Sequence, residues 1–126
     1  LVLETLALEL AIPRITDADV DVIRGHLERF YSAQDPQTAA EAAFCFHHEI
    51  GIVSGNTLLP LISYSFKAPV SMLWRRYIQL HGKEKLYENI HALYRQIERR
   101  DVAEAVRVLK EAINQTISGG VSIYYE

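Results

Sequence analysis

The chain is poor in whatever staples a protein or carries it across a membrane. It has one cysteine, Cys45, in 126 residues. A lone thiol excludes an internal disulfide, and a reducing, cytoplasmic setting is the natural expectation. Basic charge is not in excess: 13 Lys and Arg stand against 16 Asp and Glu, a net charge of −3. That leaves no basic footprint for nucleic acid on this chain. Long apolar runs are also lacking. The uncharged stretch over residues 50–66 contains Ser54-Gly55-Asn56 and Pro60, so it reads as a helix junction and not a membrane span. There is no glycine-rich phosphate loop behind a strand, no CxxC, and no Ser-His-Asp or Cys-His order, so no motif supports enzymatic chemistry. No signal peptide opens the chain. It begins at Leu1, inside an apolar pattern, so residues before it are expected.

What is present is helical periodicity. Leu3, Leu6, Ala7 and Leu10 recur at helical spacing, and Pro13 stops that first helix. Thr16-Asp17-Ala18-Asp19 reads as a capping box with Asp in the fourth position. It opens a second helix to about Ser32, with Val20, Ile23, Leu27 and Phe30 on one face. Asp35-Pro36 caps and starts a third helix that runs to Val53. Asn56 begins the fourth and longest helix, to His81, where Pro60 is early enough to be tolerated and Pro69 predicts a kink. Lys83 to Arg100 forms a fifth, with Leu86, Ile90, Leu93, Tyr94 and Ile97 inward. Asp101 and Glu104 open a sixth, with Ala105, Val106, Leu109, Ala112, Ile113 and Thr116 inward, ended or frayed at Gly119-Gly120. Six amphipathic helices with short connections predict an all-α antiparallel bundle, one domain over residues 1–126.

The third helix carries the local feature that asks for more than packing. Ala40, Ala43, Phe44, His47 and Ile50 share one stripe, so His47 is aimed into the bundle. Ser54-Gly55-Asn56 then makes a tight corner, with Gly55 suited to a left-handed backbone and Asn56 to a cap. An ordinary core histidine held by one hydrogen bond is the plain reading of His47; a pocket histidine facing a ligand is the alternative. His48 points about 100° away, so the pair cannot grip one ion, and it falls at the helix flank. His91 lies at the margin of the fifth helix's apolar face, with Tyr87 and Tyr94 on the same side. Arg75, beside Trp74, is a solvated arginine or a bidentate carboxylate or phosphate binder. Lys83-Glu84-Lys85 and Glu98-Arg99-Arg100 read as solvent-facing charge, and Cys45 as a buried small hydrophobe.

In order and spacing, Phe46-His47, Ser54-Gly55-Asn56, the long helix after it and the isoleucine-bearing helix leading to Asp101 and Ala105 carry a likeness. So does the opening from Leu3-Glu4 through Ile15-Thr16-Asp17-Ala18-Asp19-Val20. The chain resembles the C-terminal effector-sensing (FCD) domain of FadR-type regulators in the GntR transcription-factor family, over nearly its whole length. The resemblance implies a bundle of six or seven helices around a central ligand pocket. It implies a homodimer, and DNA contact only through an N-terminal winged helix-turn-helix that this chain lacks.

Many such domains hold a divalent metal through one Asp and three His. Those positions fall on Ala43, His47, Ile90 (or His91) and Ala112. Alanine and isoleucine donate nothing to a metal, so the usual site is expected to be lost, with no cofactor in its place. The expected pocket wall is Ala43, Phe44, His47, Ile90, Tyr94 and Ala112. The candidate ligand-binding residues are His47, His91, Tyr94, Asn56, Arg75 and Phe44. The expected effector is a fatty acyl compound or organic acid, with no membrane partner and no enzyme activity. The alternative is a helical protein-interaction module without a small-molecule ligand.

Overall fold

The computed structural model describes residues 2–125, with side chains described for residues 2–115. Among the described residues there are seven α-helices and one 3-10 turn. In order they are α1 (Val2–Ala11), the turn (Ile12–Arg14), α2 (Asp17–Ser32), α3 (Pro36–Val53), α4 (Leu58–Ser65), α5 (Lys67–His81), α6 (Glu84–Glu98) and α7 (Val102–Tyr125).

Helix starts follow the local chemistry. At α2 both arms of the capping box form: Asp19 N–H donates to Thr16 Oγ1 and Thr16 N–H to Asp19 Oδ2, each at 3.1 Å. At α3 the Asp35 carboxylate accepts from the Thr38 N–H at 2.8 Å and from its hydroxyl at 2.9 Å. These bonds hold the Asp35 carboxyl below the usual carboxylate range. At α7, Asp101 Oδ1 accepts from the Glu104 N–H at 3.0 Å.

Two expectations are corrected. The fourth helix is not one kinked rod, nor the longest; it is α4 and α5, broken at Phe66 (φ −99°, ψ 8°). In a continuous helix Pro69 would clash with the Ser65 carbonyl and leave it without a donor. A break three residues earlier puts Pro69 in the first turn of α5, where backbone donors have no helical partner anyway. The sixth helix does not stop at Gly119-Gly120, because α7 runs to Tyr125. Glycine lowers helix propensity by about 1 kcal/mol per residue without breaking the hydrogen-bond ladder. Thr116, expected inward, lies outside the described side chains.

α3 is the axis of the bundle. It packs against α1, α2, α4 and α5, while α6 packs on α2 and α7, and α7 on α1 and α5. Four buried alanines, Ala39, Ala40, Ala42 and Ala43, let these neighbours approach closely. Because α3 is surrounded, more than one of its stripes is buried: Phe46 is fully enclosed as well as Ala40 and Ala43. Lys83 is not solvent-facing charge. Its ammonium donates to the carbonyls of Phe30 (3.3 Å), Tyr31 (2.6 Å) and Ala33 (2.7 Å), closing the C-terminus of α2. Cys45 is half-buried, because its side of α3 is incompletely covered.

Candidate functional site

The corner after α3 sets the site. Gly55 has φ 76°, and a β-carbon there would run into the Arg14 guanidinium, which itself donates to the Ser54 carbonyl at 3.4 Å. The buried Ser54 hydroxyl donates to the Gly51 carbonyl and accepts from the Asn56 N–H at 3.2 Å. Asn56 Oδ1 then accepts from the Leu58 N–H at 2.9 Å. This fixed turn folds α4 and α5 back along α3.

A half-open cavity of about 340 Å³ lies between α1, α3, α4, α5, α6 and α7. That is within the size range of small-molecule sites. Its wall is mainly hydrocarbon, including Leu8, Phe44, Val70, Ile90, Leu93 and Ala112. Its polar side chains are Glu4, His47, His48, Ser63 and Asn89, with the indole of Trp74 beside them. No Lys or Arg is among the described lining residues.

His47 lies between two rings, 5.3 Å from Phe46 edge-on and 5.3 Å from Trp74. The surrounding protein leaves little room for water at the ring, so its charged form is poorly stabilised. Burial therefore lowers its pKa to about 4, opposed in part by the Glu4 carboxylate. At neutral pH it is an uncharged imidazole with one donor and one acceptor nitrogen. His48 stacks on Phe44 at 5.5 Å and meets Tyr64 at 5.9 Å.

Of the six candidate residues, the structure brings Phe44 and His47 to the cavity wall. Asn56 sits in the corner, where its Oδ1 accepts from the Leu58 N–H; the N-cap of α4 is Thr57, whose side chain makes no capping bond, so the capping role expected of Asn56 is corrected. Tyr94 is buried in the core with its hydroxyl on Glu98 at 3.2 Å, since its position on α6 is turned away from the cavity. His91 stacks on Tyr87 at 5.6 Å, away from the wall. Arg75 lies in a separate outer groove and donates to Gln37 at 3.1 Å. Of the other expected lining positions, Ile90 and Ala112 are on the wall and Ala43 is buried behind it.

The donor set does not fit the metal that the family resemblance implies. Only His47 among the transferred positions brings a donor to the cavity, and no group of three His, Cys, Asp or Glu side chains converges among the described residues. Protein sites normally use three or four. Glu4, His48, Ser63, Trp74 and Asn89 were missed by the sequence reading. Trp74 carried a signal, being the only tryptophan and spaced four residues from Val70. Glu4 carried none, since a charge at the edge of an amphipathic helix reads as solvated.

No helix among the described residues is long and apolar enough to cross a membrane. A search of curated proteins finds no match. Among solved structures, E. coli McbR/YncC superposes with a TM-score of 0.75 at 20% sequence identity, over 92% of this chain and 61% of that one. At that identity the likeness is one of fold, and the chain spans about three fifths of that protein's length. The model of the FCD domain family matches residues 1–115. The chain belongs to the FCD domain family.

Proposed function

We propose that this chain is the effector-sensing and dimerising domain of a DNA-binding transcriptional regulator, and that the cavity between α1 and α3–α7 is where the effector binds. The carrying observation is that half-open, mostly apolar space of about 340 Å³ in an FCD bundle, with His47 and Trp74 on its wall. DNA contact belongs to a winged helix-turn-helix outside this chain. An effector shifts such a regulator only by binding one of its states more tightly than the other. α1, α4 and α5 together form about two fifths of the cavity wall, so filling it changes how they pack on α3. The body of the effector is apolar, in keeping with the acyl expectation. It binds without a metal.

The test is native mass spectrometry of the purified chain, followed by denaturing extraction and a screen of apolar small molecules by melting temperature. A co-purifying organic molecule, or a ligand that raises the melting temperature, is the expected outcome. An empty chain whose melting temperature ignores the whole screen would instead make it a helical interaction module.

A further inference from the structure

We propose that the ligand of this cavity is a neutral molecule, an apolar body bearing one uncharged hydroxyl or carbonyl, and that this group hydrogen-bonds the His47 imidazole. This rests on the sensing role proposed above and names the chemical class of its ligand.

An unmet hydrogen bond points to this class. His47 is held by the rings of Phe46 and Trp74, at 5.3 Å each, and no described residue hydrogen-bonds its ring nitrogens. Polar groups so hemmed in by protein ordinarily have such a partner. The ring stands on the cavity wall, so the place left for a partner is the cavity itself. An oxygen on an apolar molecule satisfies the ring and covers the hydrocarbon around it at once. Leu8, Val70, Ile90 and Leu93 are that hydrocarbon.

The charge state of the ring selects against ions. At neutral pH His47 is uncharged, with one donor and one acceptor nitrogen. A hydroxyl matches either nitrogen, and a carbonyl matches the donor. A carboxylate or an ammonium that reaches the ring gives up its water and needs an opposite charge in return, which a neutral imidazole does not supply. Ser63, Trp74 and Asn89, also on the wall, are neutral donors and acceptors. Glu4 is exposed and its carboxylate already accepts hydrogen bonds, so it does not wait for a ligand's charge. No Lys or Arg is among the described lining residues, and residues 116–126 contain neither. Lys67 lies over the rings of Phe44 and Tyr64, at 5.8 and 5.5 Å.

The test compares n-octanol, n-octanoate and n-octylamine, three probes of one chain length, with toluene as a probe that makes no hydrogen bond. Measurements are made at pH 8, above the range in which imidazoles charge. Trp74 is the single tryptophan, so its emission reports occupancy of the cavity, with melting temperature as a second readout. Octanol is expected to bind roughly tenfold more tightly than either ion. His47→Phe keeps a ring and removes its nitrogens. It is expected to lower the affinity for octanol, relative to toluene, by about fivefold. His47→Gln, which restores a neutral donor and acceptor, is expected to recover most of that ratio. Octanoate or octylamine as tight as octanol overturns the proposal, as does an octanol-to-toluene ratio that His47→Phe leaves unchanged. In those cases the cavity remains a sensor site. If no probe changes either readout, the proposal falls together with the sensing role.

Discussion

A histidine ring hemmed in by protein titrates as a buried group even where part of it is uncovered. His47 is such a ring, with its pKa lowered by burial to about 4 from an ordinary 6.5. Between those values the unfolded chain takes up a proton that the folded chain refuses. Stability is therefore full above pH 6.5 and falls as pH drops through the window. The slope is at most about 1.4 kcal/mol per pH unit, and the total loss is about 3 kcal/mol at most. Urea unfolding across this range should show the slope in the wild type and not in His47→Gln. An equal slope in both would assign the titration to another group. That His47 points inward is legible from its spacing with Ala43, Phe44 and Ile50. Its partners are not, because Glu4 and Trp74 come from helices distant in sequence and meet it only in the bundle.

At the scale of elements, capping chemistry was readable and helix continuity was not. Thr16, Asp35 and Asp101 each satisfy backbone donors within three residues, so their effect is local and the starts of α2, α3 and α7 follow from sequence. The break at Phe66 is a competition between one long helix and two short ones, and packing on α3 settles it. Pro69 now sits in the first turn of α5. Pro69→Ala should accordingly lower stability by about 0.5 kcal/mol through the greater freedom of the unfolded chain. Were Pro69 inside a continuous helix, the same change would raise stability by about 3 kcal/mol. Chemical denaturation of the variant separates the two by sign. Lys83 teaches the same lesson: a helix end can be closed by a side chain from a later element, which no local pattern announces.

For the molecule as a whole, the outward apolar surface matters as much as the cavity. Leu58, Leu61 and Tyr64 of α4 are 63%, 65% and 59% exposed. Leu6 and Leu10 of α1 are each 38% exposed. Side chains of this kind are at home in the core of a subunit interface. A homodimer using α4 should give a light-scattering mass twice the 14.4 kDa of the chain. Leu61→Glu, at a position outside both the buried core and the cavity lining, should return a monomer with unchanged helical circular dichroism. A variant that stays dimeric would move the interface off α4.

The sequence by itself determined the class of fold, the places where most helices start, and the inward aim of α3. Each depends on residues a turn or two apart, and periodicity and caps record such relations directly. It also left the positions to which the resemblance assigns the metal, Ala43, Ile90 and Ala112, without donor atoms. Only the tertiary structure decided where α4 ends and which polar groups share the cavity with His47. It alone put Glu4 and Trp74 beside His47 on that wall. Those facts are sums over six helices meeting in space, and no single stretch of chain contains them.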